Sequence, residues 1–245
     1  MDDVALLRPA GGVLTPAQVE LLRPFVSEAR QARIEAVIGQ RTRTLTVVLD
    51  HLEKRHNLSA VLRTCDAFGI QDVHLVHDQP LIISRGTTQG AHKWLNIRRH
   101  RTTTEAIAAL KAAGYLVAAS VLAPDARDIG DLDPLQPLAL LMGNEKDGLS
   151  KEAVAAADVR FTLPMRGFVQ SLNVSVAAAL CLGFLVERRV AALGSNGDLD
   201  AAARHELRSR WYRDSVRHVD GILKALGDPT PIDEDDDSEE CLDPQ

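Results

Sequence analysis

One stretch near the end of the chain limits the possible folds more than any other. Residues 163–186 read LPMRGFVQSLNVSVAAALCLGFLV, a polar loop followed by an almost wholly apolar segment. We expect that segment to form a helix buried on nearly every side, because a helix that is apolar all round cannot face water. The polar residues at its start, Gln170, Ser171 and Asn173, suit a helix cap. The same position would also suit a binding or catalytic site, but this stretch alone favours the cap.

Short apolar runs alternate with helical segments through most of the remaining chain. The predicted strands are residues 45–49, 73–76, 93–99, 115–122, 138–142 and 159–163. Continuous apolar runs separated by helices are typical of an α/β fold with a mainly parallel sheet. Ligands of such sheets usually bind beyond the carboxyl ends of the strands. Three polar loops follow such ends, around Ser120, at 143–148 and at 164–171, and they form the candidate site.

The negative charge of the protein is concentrated at its C-terminus. The formal net charge of the 245 residues is −6, yet residues 228–245 contain nine acidic residues and no lysine or arginine. Without those nine charges the body of the protein carries +3. We therefore expect a disordered acidic tail and a mildly basic body that suits a nucleic-acid partner.

Several other classes of protein are disfavoured. No apolar run approaches the roughly 20 residues of a membrane span, and the acidic N-terminus does not suit a secretory signal. The three cysteines lack a metal-type spacing. The chain contains no GxxxxGKS/T, GxGxxG, HExxH or GxSxG motif. We expect a cytoplasmic protein with reduced thiols, no metal and no membrane contact.

The sequence divides into four predicted parts. They are an N-terminal extension with a basic helical segment (1–43), an α/β domain (44–194), a basic amphipathic helix (195–227) and the acidic tail (228–245). The basic helix, over residues 198–226, is predicted to carry Arg210, Arg213 and Arg217 in one stripe opposite its apolar side. Such a stripe is either a solvated face or an RNA-binding surface, and the sequence leaves both open.

Three segments, taken together, resemble the motifs of one enzyme family. They are residues 57–64 (NLSAVLRT), residues 142–150 (MGNEKDGLS), and residues 163–165 (LPM) with 171–177 (SLNVSVA). In this order and spacing they resemble the SpoU family of the SPOUT superfamily, which contains tRNA and rRNA 2′-O-methyltransferases. The segments HNLSAVLRTCDAFG and GAHKW are most similar to its TrmH branch, which methylates guanosine 18 of tRNA. The resemblance covers about residues 30–225.

This resemblance implies a particular fold and reaction. The fold would be a Rossmann-like, mainly parallel sheet with a deep C-terminal trefoil knot, flanked by N- and C-terminal helices. The protein would bind S-adenosylmethionine in the knot, act on tRNA, and work as a homodimer whose active site draws on both subunits. Its activity would be 2′-O-methylation of a ribose, with guanosine 18 in the tRNA D-loop as the target.

The motifs, the glycines of the second motif and the basic clusters together give the candidate site residues. The candidate catalytic residues are Arg63, Asn57, Glu145, Ser171 and Asn173. The candidate cofactor-binding residues are Ser120, Gly143, Gly148, Leu163, Met165 and Leu172. The candidate RNA-binding residues are Arg30, Arg33, Arg41, His56, Arg210, Arg213 and Arg217.

The chemistry expected of Arg63 can be argued from its guanidinium. A guanidinium is a poor base by itself. Arg63 would activate the ribose hydroxyl in one of two ways. Its surroundings could lower the pKa of the guanidinium so that it acts as a base, or the guanidinium could stabilise the developing alkoxide. Taken alone, an arginine at this position would suit an ordinary surface salt bridge.

Two other functions stay open at this point. One is the same chemistry on another tRNA position or on ribosomal RNA, and the other is a non-catalytic tRNA-binding module or chaperone. Arg63, Asn57, Glu145 and Asn173 argue against the module, because binding alone does not need that set. The N-terminal extension and the acidic tail depart from the family pattern, and residues 31–32 (Gln-Ala) stand where close relatives are often basic.

Overall fold

The computed structural model describes residues 12–77 and 90–227 of the chain. Within these ranges one sheet of seven strands is present, and all its strand pairs are parallel. The strands are β1 (Leu45–Asp50), β2 (Asp72–Val76), β3 (Asn96–His100), β4 (Leu116–Ser120), β5 (Arg127–Asp128), β6 (Leu138–Met142) and β7 (Val159–Thr162). Their order across the sheet is β3-β2-β1-β6-β4-β7-β5. The predicted α/β fold with a mainly parallel sheet is confirmed.

Helices cover both faces of the sheet. The α-helices of the described ranges are α1 (Pro16–Leu22), α2 (Glu28–Ile38), α3 (Arg55–Ala67), α4 (Thr103–Ala112), α5 (Lys151–Ala156), α6 (Val174–Leu193), α7 (Ala201–Ser215) and α8 (Val219–Ala225). Helices α3 and α6 share an apolar core with one face of the sheet, and α4 and α5 with the other. Helices α1, α2, α7 and α8, from the two ends of the chain, form a further apolar cluster.

The strand predicted over residues 93–99 is partly wrong. Residues Ala91–Trp94 form a short 3-10 turn, and β3 begins only at Asn96. The indole of Trp94 packs edge-on against that of Trp211 in α7, with 5.7 Å between ring centroids. Because this packing on the helical cluster fixes the position of Trp94, the chain joins the sheet later than the apolar pattern suggests.

The single helix predicted over residues 198–226 is in fact two helices. Helix α7 ends at Ser215 and α8 starts at Val219. Between them His218 adopts a left-handed conformation with φ +56°. The change of direction places Val219 and Leu223 in the same apolar cluster as α7. No glycine or proline marks the break in the sequence.

Part of the N-terminal extension packs on the C-terminal helices. Leu14 is 1% exposed, and its N–H donates to Oγ of Ser209 in α7 at 2.6 Å. Its carbonyl oxygen lies 2.8 Å from Nε2 of His205 in the same helix. Thr15 then caps α1, with Pro16 at the first helical position. The last residues of the N-terminal extension before α1 are therefore held in place, while residues 1–11 and the acidic tail lie outside the described residues.

Helix α6 is not buried on every side, so that prediction is wrong for a single chain. Leu182 and Leu185 are fully buried in the core with α3. Val176, Leu180 and Phe184, however, are 46%, 51% and 43% exposed. Their spacing of four residues places them in one stripe along the helix. Even so, neither α6 nor any other helix within the described residues is long and apolar enough to span a membrane.

Candidate active site

The loops that follow β4, β6 and β7 enclose one cavity, the strand-end cavity. These strands are neighbours in the sheet, so their carboxyl ends meet at one edge. The cavity has a volume of about 430 Å³. Its lining includes five of the six predicted cofactor-binding residues, namely Ser120, Gly148, Leu163, Met165 and Leu172. It also includes two of the predicted catalytic residues, Glu145 and Ser171.

The sixth predicted cofactor-binding residue, Gly143, shapes the loop after β6. A Cβ atom at position 143 would lie 2.3 Å from the carbonyl carbon of Gly148 and 2.5 Å from the nitrogen of Leu149, so a side chain does not fit there. Gly148 itself has φ +69°, which other residues rarely adopt. The side chain of Asn144 closes the turn by accepting a hydrogen bond from the N–H of Asp147 at 2.7 Å. Both glycines are therefore needed for a compact loop at the cavity.

One polar side chain from each motif joins a single hydrogen-bond chain. Nδ2 of Asn57 donates to Oε1 of Glu145 at 2.6 Å, and Nδ2 of Asn173 donates to Oδ1 of Asn57 at 3.1 Å. Asn57 is 1% exposed. The Glu145 carboxylate also accepts from the backbone N–H groups of Glu53 and Lys54, at 3.2 and 3.3 Å. The start of α3, the loop after β6 and the start of α6 are thus held in fixed relative positions.

The same contacts keep Glu145 ionised. Partial burial raises the pKa of the Glu145 carboxyl group, but the hydrogen bonds from Asn57 and from backbone N–H groups outweigh it, and the pKa lies below its usual value. Glu145 is therefore an anion at neutral pH and serves as a hydrogen-bond acceptor. The carboxylate also faces the positive end of α3, which stabilises the charge further.

Asn173 has two structural duties. Its Oδ1 accepts from the N–H of Ser175 at 2.9 Å, so it caps α6 as the sequence predicts. Its Nδ2 belongs to the hydrogen-bond chain with Asn57. Asn173 therefore caps α6 and belongs to the candidate site as well. Ser171, two residues earlier, is exposed at the cavity.

Arg63 lies apart from the other predicted catalytic residues. Its side chain is exposed on α3 and lines a second hollow, of about 470 Å³, together with Thr64, Asp66, Phe68 and Trp94. This hollow and the strand-end cavity share no lining residue. Arg63 follows the buried Asn57 by six residues, so the two side chains leave the helix on different sides. Within the chain, the motifs therefore converge without Arg63.

The N-terminal candidates for RNA contact are mostly exposed. Arg30, Arg33 and His56 are all exposed. The guanidinium of Arg30 lies 4.8 Å from the ring centroid of Trp94, close to the second hollow. These side chains are therefore accessible to a phosphate backbone.

The prediction that Arg41 binds RNA is wrong. It is 0% exposed, its guanidinium is bonded to the carboxylate of Asp66, and it lies 5.3 Å from the ring of Trp211. Burial lowers the pKa of Arg41, while the charge of Asp66 acts in the opposite direction. A side chain enclosed in this way has no access to RNA. The basic character of residues 41–43 in the sequence does not show this.

The C-terminal arginines do not form the predicted exposed stripe. The guanidinium of Arg210 donates to Oδ1 of Asn96 at 2.5 Å and to the carbonyl of Trp94 at 3.3 Å. Arg213 is only 18% exposed and pairs with Asp220 at 2.7 Å. Arg217 is exposed, since it lies in the break between α7 and α8. Arg210 and Arg213 therefore stabilise the helical cluster, and Arg217 alone of the three has open access to solvent.

Some residues around these hollows were not predicted from the sequence. Asn144, Leu149 and Thr162 line the strand-end cavity. Asn144 and Leu149 lie in the loop that follows β6, and Thr162 is the last residue of β7. These positions are the signal that could have identified them. Asp66 and Trp94 line the hollow beside Arg63. Asp66 occurs in the segment HNLSAVLRTCDAFG and Trp94 in GAHKW, but no role was predicted for either residue from the sequence.

Fold and cavity together define an α/β protein with a parallel sheet covered by helices on both faces and a cavity at the carboxyl edge of three adjacent strands. The model of the SpoU rRNA Methylase family matches residues 44–183. The chain belongs to this family.

Relatives with stated activities cover most of the chain. The tRNA (guanosine(18)-2'-O)-methyltransferase of Thermus thermophilus is 43% identical over 189 residues, which are 76% of this chain and 97% of the relative. The enzyme of the same name from Escherichia coli is 40% identical over 158 residues, 64% of this chain and 69% of the relative.

Solved structures give the same result. The TrmH/SpoU tRNA modifying enzyme of A. aeolicus superposes with a TM-score of 0.71 at 32% identity, over 77% of this chain and 98% of that one. The SpoU methyltransferase AviRb from Streptomyces viridochromogenes, in complex with the cofactor AdoMet, has a TM-score of 0.55 at 26% identity, over 63% and 64% of the two chains.

Proposed function

We propose that this protein transfers a methyl group from S-adenosylmethionine to the ribose 2′-oxygen of guanosine 18 in the D-loop of tRNA. The observation that carries the proposal is the hydrogen-bond chain Glu145–Asn57–Asn173, which joins all three motifs beside the strand-end cavity. The choice of tRNA and of guanosine 18 follows the Thermus thermophilus relative, of which the match covers 97%.

The strand-end cavity suits the cofactor. Its volume of about 430 Å³ lies within the range of about 300–1,000 Å³ that is typical of small-molecule sites. Leu163, Met165 and Leu172 supply apolar surface for an adenine ring, and Ser120 and the loop around Gly148 supply polar groups for the ribose and amino acid parts. Bound S-adenosylmethionine would supply a methyl group already activated on a sulfonium.

The residues of the chain then have separate tasks. The Glu145–Asn57–Asn173 chain fixes the loop and the helix that flank the cavity, and positioning supplies much of the rate of a displacement reaction. Ser171 lies in the cavity, where its hydroxyl can orient the ribose. Arg63, a fixed positive charge, would stabilise the oxygen as the hydroxyl loses its proton.

The proposal includes the finer features that the family resemblance implies. Helix α6 is the segment that would pass through a trefoil knot. As an enzyme that acts on tRNA, the protein would work in the cytoplasm. Arg30, Arg33, His56 and Arg217, which are exposed, would contact the phosphate backbone, and Arg41 is no longer among them.

We also propose that two copies of the chain associate through α6. The exposed stripe of Val176, Leu180 and Phe184 continues into the preceding loop, where Phe168 and Val169 are also exposed. A two-fold dimer brings the same patch of both copies together, so an apolar stripe can cover itself. This would account for a helix that is apolar all round yet half exposed in one chain.

The substitution Leu180→Glu tests this dimer. Leu180 is 51% exposed, so glutamate there does not disturb the fold of one chain, but two carboxylates would meet unpaired in the interface. We expect the variant to elute and sediment as a monomer at concentrations where the unaltered protein is a dimer. Val13→Glu, at a residue 61% exposed outside α6, is the matched control and should stay dimeric. A dimeric Leu180→Glu variant would show that the interface lies elsewhere.

The experiment for the function uses the full chain, labelled S-adenosylmethionine and an unmodified tRNA transcript at low salt. We expect one labelled methyl group per tRNA, mapped to the ribose of guanosine 18. A transcript with a 2′-deoxy nucleotide at position 18 is the control, since it lacks only the accepting hydroxyl. Methylation of another tRNA nucleotide, or of ribosomal RNA alone, would establish the first alternative. Tight tRNA binding with no cofactor binding in calorimetry would establish the module or chaperone.

A further inference from the structure

The hollow beside Arg63 is built differently from the strand-end cavity. Its walls include two aromatic rings, Phe68 and Trp94, and its polar groups are Arg63, Thr64 and Asp66. Its volume of about 470 Å³ is ample for one small ring system. Aromatic surface beside positive charge is the combination with which proteins bind unstacked nucleobases.

The carboxylate of Asp66 is held rigidly at this hollow. Oδ1 of Asp66 is bonded to Nη2 of the fully buried Arg41, and Nη1 of the same guanidinium is 3.4 Å from the carbonyl oxygen of Asp66. The Asp66 side chain is nevertheless 32% exposed, because it also lines the hollow. A carboxylate has about four acceptor sites, so Arg41 does not exhaust it. The buried arginine thus presents a fixed hydrogen-bond acceptor to whatever occupies the hollow.

A fixed acceptor discriminates among bases. The Watson–Crick edge of guanine carries two adjacent donors, the N1–H and the N2 amino group, which a carboxylate can accept together. Adenine has an acceptor at N1, which a carboxylate would repel. Cytosine likewise has an acceptor at N3, and uracil has a single donor there between two carbonyl oxygens. The chemistry of Asp66 therefore selects guanine.

We infer that this hollow binds the guanine base of the nucleotide that is methylated, with Asp66 on its Watson–Crick edge and Trp94 against its ring. The inference rests on the proposed function and deepens it, because it names the residue that chooses the base. We assign the hollow to the base of the target nucleotide and not to a neighbouring base, because Arg63 lines the same hollow and would act on the 2′-oxygen of the target. Asp66 is a specificity-determining residue in this account, and Arg41 positions it.

The test compares the full-length protein with its Asp66→Asn variant on three tRNA transcripts that carry guanosine, inosine or adenosine at the target position. An asparagine can keep its oxygen on Arg41, so its amide N–H₂ then faces the hollow and opposes the guanine donors. We expect the ratio of kcat/KM for guanosine over adenosine to fall at least about tenfold in the variant. Inosine, which retains only the N1–H, should lie between guanosine and adenosine in the unaltered protein.

Controls separate this role from a structural one. Asp125→Asn removes an acidic partner of another arginine, Arg160, at an exposed site outside both hollows, and should keep the guanosine preference. A loss of stability in Asp66→Asn would lower both rates together and leave their ratio unchanged. Trp94→Leu should raise the KM for tRNA about tenfold, as expected for a lost stacking surface, and Trp94→Phe should restore it.

The outcomes distinguish the inference from the proposed function. Methylation by the unaltered protein, with an unchanged guanosine preference in Asp66→Asn, would overturn the inference and leave the function standing. A further set of transcripts varies the two neighbouring nucleotides instead, and a preference there that depends on Asp66 would overturn the assignment to the target base. If the unaltered protein transfers no methyl group, the proposed function fails. In that case the affinities of the unaltered protein and of Asp66→Asn for the guanosine and adenosine transcripts are measured by equilibrium binding. A preference for guanosine that is lost in Asp66→Asn supports the inference, and a preference that is absent or unchanged overturns it.

Discussion

Replacing Arg63 by alanine is expected to reduce kcat for tRNA methylation at least about a hundredfold, the usual cost of removing a group that stabilises a developing oxyanion. The side chain is exposed, so its loss leaves no cavity in the core, and the melting temperature should stay within a few degrees. Affinity for S-adenosylmethionine should stay within about tenfold, or roughly 1.4 kcal/mol. The reason is that Arg63 lines none of the strand-end cavity. Single-turnover kinetics and calorimetry measure the two quantities.

Two further variants show whether the charge or the shape of Arg63 matters. Arg63→Lys keeps the positive charge but loses the planar, forked set of donors, so we expect activity between that of alanine and arginine. Arg127→Ala removes another exposed arginine, in the edge strand β5, and should be fully active. Near-normal turnover in Arg63→Ala would remove Arg63 from the mechanism, whatever the state of the other motif residues.

The parts of the fold that depend on local patterns were predictable from the sequence. Strand β6 has the bounds predicted from its apolar run, residues 138–142. The cap formed by Asn173 was predicted from residue type and position, and the structure confirms it. Thr15 and Ser150, which are also good cap residues, cap α1 and α5 in the same way. The position of the three strand-end loops at one edge of the sheet followed from the geometry of parallel sheets, because all parallel strands end at a common edge. That β6, β4 and β7 are neighbours is seen only in the structure.

The parts that depend on distant partners were not predictable. Arg41 is basic in a basic segment, and its burial follows from Asp66, which is 25 residues away, and from Trp211 on α7. The break after α7 follows from the burial of Val219 and Leu223 in the cluster with α1 and α2. A sequence pattern reports the character of a side chain. It does not report which other side chain covers it.

The separation of the two hollows leads to a prediction about the dimer. Arg63 and the cofactor residues line different surfaces of the same chain, and the exposed stripe of α6 offers a route by which a second copy can approach. We expect each active site to combine the strand-end cavity of one subunit with Arg63 of the other. Gly143→Ala supplies a variant without a working cavity, because its Cβ would collide with the backbone of Gly148. Calorimetry should show that it binds no S-adenosylmethionine.

Two mixed dimers, each isolated with two different tags, have opposite expected activities. In the first, one subunit carries Arg63→Ala and the other Gly143→Ala. If the site is shared, one intact cavity faces one intact Arg63, and the mixed dimer should show about half the activity of the unaltered dimer. If each site lies within one subunit, it should be inactive. In the second, one subunit carries both substitutions and its partner carries neither. A shared site then has no complete copy and should be inactive, whereas a site within one subunit should again give about half. Because the two dimers contain the same two substitutions, a general loss of stability would lower both activities alike and could not reverse their order.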